Sequence, residues 1–316
     1  MPSLHEPNFP SLERRTADST SVIALLYAGL SGLSYGAADF SGALATKRND
    51  AMLVTIAMQI VSLGALAVLL YWFVDGVFVM EDMWWGGLGG LGAALGLVTF
   101  YKALADGPMT TAASVTALVG SLVPITAGLA LGEVPNPITL SGIGLAVPAA
   151  VLVSVGALGV KSRRRAATPR SNATNKSQSA KTRMLSVVAG LGFGLFFVAL
   201  AQTSADGGLF PLVGARIASI GALTIVLSGT ARWGGIARRD WASVIVAGVL
   251  DFAANSFYLL AIDTGSFTWV AAVSSLYPVA TVLLARVVLR ERIAPVQVGG
   301  LALAAGALVL IGVGAT

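Results

Sequence analysis

Ten long apolar stretches, separated by short polar segments, constrain the fold of this 316-residue chain more than any other feature. A helix needs about 20 apolar residues to cross the hydrocarbon core of a bilayer, and each stretch reaches that length. Stretches such as Val61–Leu70 do not alternate apolar and polar residues, as the strands of a membrane β-barrel would. The sequence therefore predicts an all-α integral membrane protein with ten transmembrane helices. The predicted spans are residues 22–45, 52–73, 83–105, 109–131, 138–160, 184–205, 209–230, 241–262, 267–289 and 294–314.

Composition excludes most other classes of protein. Charged residues make up 11% of the chain, whereas a soluble domain has about a quarter. The chain has no cysteine, and its single histidine, His5, lies in the polar N-terminal tail, so thiolate chemistry and histidine metal sites lack their ligands. We therefore expect no metal, no cofactor and no nucleic-acid partner, and we expect the lipid bilayer to surround the chain.

The basic residues predict an orientation in the membrane. Outside the spans, one side holds only Arg14 and Arg15, whereas the other holds fifteen Lys and Arg residues, eight of them in the linker 161–183. The positive-inside rule then places this linker in the cytoplasm and both termini outside, in a multi-pass protein of the plasma membrane. Residues 1–21 are predicted to be a disordered tail, and the linker a flexible hydrophilic loop.

The two halves of the chain are related by an internal repeat. Residues 100–156 overlie residues 258–314 at a shift of 158, with 18 identities in 57 positions, and a shift of 157 places Gln59 on Arg216. Because each half has five spans, the second half enters the membrane from the opposite side. Inverted repeats of this kind build alternating-access transporters with a site near the bilayer midplane. The sequence thus predicts repeats over 22–160 and 184–314, and transport of a small molecule as the function.

Short motifs recur in both halves and resemble those of a known family. The first half has Phe100-Tyr-Lys-Ala103 and Leu131-Gly-Glu133. The second half has Phe257-Tyr-Leu-Leu-Ala261 and Leu289-Arg-Glu-Arg292, and each glutamate precedes a proline and a glycine-containing helix. This pattern resembles the EamA-type branch of the drug/metabolite transporter superfamily.

The resemblance implies ten helices around a central cavity that spans 1, 3, 4, 6, 8 and 9 line, with spans 5 and 10 at the periphery. Members usually export or exchange amino acids, metabolites or toxic organic compounds. They are commonly drawn with both termini in the cytoplasm, which is opposite to the orientation that the charges predict.

Ionisable side chains inside a span are candidate functional groups, because burying a charge in a membrane is costly unless it is paired or hydrated. Asp251 lies about ten residues into the eighth span, near the midplane, and Asn255 and Tyr258 follow on the same helix face. A carboxylate removed from water suits a proton-coupling site or the counter-ion of an amine. The structural alternative is a hydrogen bond that packs two helices.

Two further ionisable residues admit several interpretations. Asp39 lies about seven residues from the cytoplasmic end of the first span, where it either lines the cavity or forms a structural ion pair. Arg216 lies about two turns inside the seventh span, and it could pair with Asp251, bind a substrate carboxylate or extend towards the interface. Together, Arg216 and Asp251 would suit a zwitterion such as an amino acid.

The remaining candidates are polar, aromatic or small residues. The polar and aromatic candidates are Tyr35, Ser274, Ser275 and Tyr277. Pro278 follows the last three and predicts a kink, which we interpret as part of a gate; its counterpart in the first repeat is Gly120. Glycine pairs with four-residue spacing, such as Gly86 and Gly90, indicate close helix packing.

These features favour secondary active transport, by export or exchange, of small metabolites such as amino acids or organic amines. Protons are the candidate coupling ion, with Asp251 as their site. A passive facilitator of the same solutes and a non-transporting scaffold or sensor are the alternatives. An intramembrane aspartyl protease is disfavoured because Val249-Leu-Asp251 stands where the Gly-x-Gly-Asp pattern is required. The sequence contains no phosphate-binding loop motif, so it does not indicate a mechanism driven by ATP. The sequence predicts no particular oligomeric state.

Overall fold

The computed structural model describes residues 17–73, 76–106, 109–165, 172–229, 234–290 and 293–315, and every regular element in these ranges is helical. In these residues, nine helical segments are long and apolar enough to cross a membrane, and a tenth, Val115–Ala130, is shorter. The predicted all-α membrane fold is confirmed. The helices are α1 (Ala17–Thr46), α2 (Ala51–Phe73), α3 (Met80–Asp106), α4 (Met109–Ala130), α5 (Pro137–Arg165), α6 (Asn172–Leu200), α7 (Phe210–Ser228), α8 (Trp241–Thr264), α9 (Phe267–Ser274), α10 (Tyr277–Val288) and α11 (Pro295–Ala315).

Two helices extend well beyond the predicted spans. The loop predicted over residues 161–183 is largely helical, because α5 continues to Arg165 and α6 begins at Asn172. Lys, Arg, Ala and Gln in this region favour helix, so the helices continue past the apolar residues. The helix α1 likewise begins at Ala17, inside the tail predicted to be disordered. Residues 1–16 and 166–171 of those two predictions lie outside the described residues.

The two repeats pack with the same pattern of helix pairs. The first helix of the first repeat, α1, packs on α8, α9 and α10, and its equivalent in the second repeat, α6, packs on α3 and α4. In the same way α2 packs on α8, and α7 packs on α3. The last helices of the repeats, α5 and α11, pack on each other. Each pair of helices that is in contact therefore has an equivalent pair in which the two repeats have changed roles. A pseudo-two-fold relation between inverted repeats requires this pattern.

Glycines bring α3 close to its neighbours. A Cβ atom added to Gly86 or Gly90 would overlap the backbone of Pro211 or Ala215 of α7. Small residues at this spacing let the backbones of membrane helices approach closely, as their positions in the sequence predict. The close contact of α3 with α7 fixes the face of α7 that includes Arg216.

The ninth predicted span is interrupted in the middle. The helix α9 ends at Ser274 and α10 begins at Tyr277, with Pro278 in its first turn. Proline lacks the N–H group that would continue the ladder of hydrogen bonds, so a break at this point is its expected effect. In the first repeat, Pro124 lies inside the continuous helix α4. Pro278 therefore lies at a break in the ninth span, and the role of Pro278 in a gate stays a prediction.

Candidate substrate-binding cavity

A cavity lies between the two repeats. It holds about 850 Å³ of space between atoms, counted to include its opening to solvent. All the spans that the family resemblance assigns to the lining contribute side chains, and so do α2 and α7. Among the described lining residues, none comes from α5 or α11.

The depth of the cavity can be measured from one end of the bundle. We call it the linker end, because α1, α3 and α5 all finish there and the linker 161–183 follows α5. At 1.5 Å per residue, Asp39 lies about 10 Å from that end of α1, and Phe100 lies about 9 Å from that end of α3. In contrast, Phe196 and Phe197 line the cavity from the opposite end of α6. The lining therefore extends over the middle of the bundle, between the linker end and the opposite end.

An ion pair in the cavity wall joins two helices of the second repeat. The Nη2 atom of Arg216 lies 2.6 Å from Oδ2 of Asp251, and the two side chains are 4% and 22% exposed. The Nη1 atom of Arg216 donates a hydrogen bond to Oε1 of Gln59, whose Nε2 donates to Oγ of Ser219 at 3.1 Å. The network connects α2, α7 and α8, and it neutralises the guanidinium with one carboxylate.

This network shows which contacts Arg216 makes. Its guanidinium is engaged by Asp251 and Gln59, so the residue does not extend to the interface. The pair with Asp251 is one of the alternatives that the sequence left open. Binding of a zwitterion by Arg216 and Asp251 stays a prediction.

Gln59 is a cavity residue that the sequence analysis did not select. The signal was present in the repeat, because Gln59 and Arg216 occupy equivalent positions in the two halves. Residues related by a pseudo-two-fold axis contact each other only where that axis passes. The hydrogen bond between Arg216 and Gln59 therefore marks the axis at the cavity wall.

The predicted polar face of α8 contributes Asp251 and Asn255 to the cavity. The Nδ2 atom of Asn255 donates to the backbone oxygen of Asp251 at 2.6 Å, and Oδ1 of Asn255 accepts a hydrogen bond from the hydroxyl of Tyr35 at 2.8 Å. Tyr35, a predicted candidate, thus joins α1 to α8 in the wall of the cavity.

Two predicted candidates lie outside the cavity lining. Tyr258 is fully buried, and its ring packs on Phe197 with a centroid distance of 4.6 Å. Seven residues beyond Asp251, it lies about 10 Å further along α8, which explains why a shared helix face does not bring it to the cavity. Ser274 donates to the backbone oxygen of Ala28 at 3.4 Å and so packs α9 on α1.

Three other predicted candidates, Asp39, Ser275 and Tyr277, do line the cavity. The carboxylate of Asp39 forms no hydrogen bond or ion pair with any described residue, so the structural pair considered for it is not found there. The nearest basic residue after it whose contacts are described, Arg48, lies 3.4 Å from Asp240 at the start of α8. Asp39 is therefore a cavity carboxylate without a counter-ion in the described part of the chain.

Phenylalanine rings form much of the remaining wall. Phe100 and Phe193 contact each other edge to face at 6.2 Å between ring centroids, and Phe197 contacts Tyr35 in the same way at 5.7 Å. Sequence analysis missed these rings because, in a helix that is apolar on all faces, an extra phenylalanine gives no periodic signal.

The opposite end of the bundle is closed by a contact between the repeats. The carboxylate of Glu133, in the turn after α4, accepts hydrogen bonds from the backbone N–H groups of Phe267 and Thr268 at 2.9 and 2.7 Å. It also accepts from the hydroxyl groups of Ser266, at 2.7 Å, and Thr268. A carboxylate at a helix N-terminus satisfies free N–H groups and interacts favourably with the helix dipole. The glutamate of the recurring motif thus holds α9 of the second repeat against the first.

Comparisons with known proteins agree with this architecture. Residues 180–313 match the model of the EamA-like transporter family. One protein of known crystal structure aligns with this chain with a TM-score of 0.72 and 16% sequence identity. The alignment covers 91% of this chain and 95% of the other, so the two proteins share a fold. No curated protein matches the chain. The predicted resemblance is confirmed over residues 180–313, which match a family of transporters, and the chain is a multi-pass membrane protein.

Proposed function

We propose that this protein is a secondary transporter that exports or exchanges small organic solutes by alternating access. The observation that supports this most is a central cavity built from both inverted repeats, with the ion pair of Arg216 and Asp251 in its wall. Removing two charges from water costs several kcal/mol per ion, only partly offset by their attraction. A bundle that served only as a scaffold would gain more from apolar residues at these positions.

The asymmetry of the structure supports a cycle with two states. Glu133 joins the repeats at the end opposite the linker, so the proposal places the open mouth of the cavity at the linker end. Exchange of the two repeat conformations would open that other end and close the present mouth. With the linker in the cytoplasm of a plasma-membrane protein, as the Lys and Arg distribution predicts, the present mouth faces the cytoplasm.

Proton coupling at Asp251 is part of the proposal. The carboxylate is partly exposed to the cavity, so water and protons can reach it. A proton on Asp251 would remove the charge that holds Arg216, and proton binding would thereby change how α7 and α8 contact each other. Coupling needs such a link between proton occupancy and helix packing.

Purified protein in liposomes that contain a pH-sensitive dye tests the proposal. Amino acids, organic amines and sugars are added one at a time, and the wild type is compared with Asp251→Asn. We expect proton movement that depends on substrate and is lost in the variant. Equal flux of a labelled solute in both proteins, without proton movement, would instead show a facilitator in which Asp251 is structural. Absence of flux for every solute class would favour a scaffold or sensor.

A further inference from the structure

The charges that line the cavity do not cancel. The acidic and basic lining residues in the described part of the chain are Asp39, Arg216 and Asp251. Arg216 and Asp251 neutralise each other at 2.6 Å. Asp39 lies one helical turn beyond Tyr35 on the same face of α1, and it contributes a carboxylate with no counter-ion among the described residues. With these groups ionised, the cavity has one unmatched negative charge.

The cavity offers few free hydrogen-bond donors to a ligand. Most of its polar side chains donate to other protein groups: Tyr35 to Asn255, Gln59 to Ser219, Thr116 to Ser186, Ser121 to Ala117, Asn255 to Asp251 and Ser275 to Ala272. The exception is Tyr277, whose hydroxyl donates to no described group. An anion or a sugar needs donors of this kind, because leaving its oxygens unpaired in a buried site is costly. The site therefore disfavours anions, sugars and the carboxylate of an amino acid.

Aromatic rings supply the rest of the recognition surface. Six aromatic side chains line the cavity: Tyr35, Phe100, Phe193, Phe196, Phe197 and Tyr277. The face of an aromatic ring attracts an organic cation, and it also covers an apolar body. A carboxylate and a set of ring faces in one cavity are complementary to a cation with an aromatic or aliphatic body.

We infer that the cavity binds an organic cation with a single positive charge and an apolar body, with Asp39 as its counter-ion. The phenylalanine rings contact the body of the ligand, and the Arg216–Asp251 pair remains closed beside it. This inference names the substrate class of the proposed transporter, and so it rests on the proposed function. Binding of the cation can nevertheless be measured without any transport.

Three soluble probes of similar size separate the ligand classes. They are benzyltrimethylammonium, which is a permanent cation, N,N-dimethylbenzamide, which is neutral, and free phenylalanine, which is a zwitterion. Equilibrium binding to the purified wild-type protein is measured for each by isothermal titration calorimetry. We expect the cation to bind at least about tenfold more tightly than the other two. Equal or tighter binding of the amide or of phenylalanine would overturn the inference without any variant.

Variants then assign the counter-ion. Asp39→Asn keeps the shape of the side chain and removes its charge, so it should weaken binding of benzyltrimethylammonium at least about tenfold. Asp39→Glu keeps the charge and should retain most of the affinity. Asp206→Asn makes the same chemical change at an exposed position in the short 3₁₀ helix Ala205–Gly207, outside the cavity, and is the matched control. Unchanged binding in Asp39→Asn, with a thermal unfolding midpoint like that of the wild type, would contradict the role of Asp39.

The two proposals fail in different ways. Binding of the cation to the purified protein, with no flux of any solute in liposomes, would contradict transport and leave the cation site in place. Flux of amino acids in liposomes, with no preference for the cation in the binding experiment, would support transport and contradict the cation site.

Discussion

The guanidinium of Arg216 has two partners inside the membrane, the carboxylate of Asp251 and the side-chain oxygen of Gln59. At the scale of single residues, this arrangement makes each charge depend on the other. The Arg216 side chain is almost fully buried, so it cannot replace a lost partner with water. Removing one charge should therefore be more harmful than removing both.

Asp251→Asn leaves the buried guanidinium without its counter-ion. Breaking a buried pair typically costs about 3–5 kcal/mol, and we expect a loss near the lower end because Asp251 is partly exposed. The double variant Arg216→Gln with Asp251→Asn should recover much of this loss, because no unpaired charge remains. Unfolding free energies in mixed detergent and SDS micelles measure both changes. A double variant as unstable as Asp251→Asn alone would show that the ion pair is not the cause.

At the scale of helices, two features of the ninth span bear on movement between the repeats: the break between α9 and α10, and the contact at the N-terminus of α9. Ser275 and Tyr277 at the break line the cavity, and Glu133 accepts the hydrogen bonds of the first turn of α9. The ninth span is thus attached to the first repeat at one end and interrupted beside the cavity.

Pro278→Ala tests whether the interruption serves as a gate. Alanine supplies the missing N–H group and favours a continuous helix, so we expect slower transport with little change in ligand affinity. Initial rates of labelled-solute uptake and the binding assay measure these two quantities separately. Pro124→Ala, in the continuous helix α4, is the matched control. Unchanged transport kinetics in Pro278→Ala would contradict the gate.

Glu133→Gln tests the contact that closes the opposite end. An amide oxygen is a weaker acceptor than a carboxylate, and the change should cost about 1 kcal/mol of local stability at the start of α9. Hydrogen–deuterium exchange at the amides of Phe267 and Thr268 should accelerate several-fold as a result. Glu81→Gln, an exposed acid in the first turn of α3, should leave this exchange unchanged. Equal exchange in both variants would show that Glu133 does not hold the turn.

Sequence predicted the helices well because span length depends only on the thickness of the bilayer. It did not predict their ends at Arg165 and Asn172, where helix propensity continues the helices without help from the membrane. The depths of Asp251 and Arg216 in the membrane could be predicted by counting residues from the ends of their spans, since each residue adds about 1.5 Å along a helix. Their pairing was one of several alternatives, because rotation of one helix against another depends on packing partners far apart in the sequence.

At the scale of the whole molecule, the side of the membrane that the proposed mouth faces can be measured directly. The chain contains no cysteine, so single cysteines can be added without first removing others. Tyr277 lines the cavity and is partly exposed, whereas Val134 is 91% exposed at the opposite end of the bundle.

Tyr277→Cys and Val134→Cys should react with a membrane-impermeant maleimide from opposite sides of the membrane. With the linker in the cytoplasm, we expect Tyr277→Cys to be labelled in inside-out vesicles and Val134→Cys in right-side-out vesicles. The reverse pattern would support the family's usual orientation with cytoplasmic termini. Labelling of both positions from one side would contradict the position of the mouth.

The hydrogen bond between Gln59 and Arg216 also limits the evolutionary history that such a protein can have. If the two halves were identical chains in an inverted pair, the residue at this position would meet its own copy on the axis. Two arginines at this buried position in the cavity wall would repel each other, whereas two glutamines could form a hydrogen bond. A charged side chain on the axis is therefore favoured where the two halves differ in sequence. When both halves belong to one polypeptide, one half can have a charged residue at this position, as with Arg216, while the other half has a neutral residue, as with Gln59.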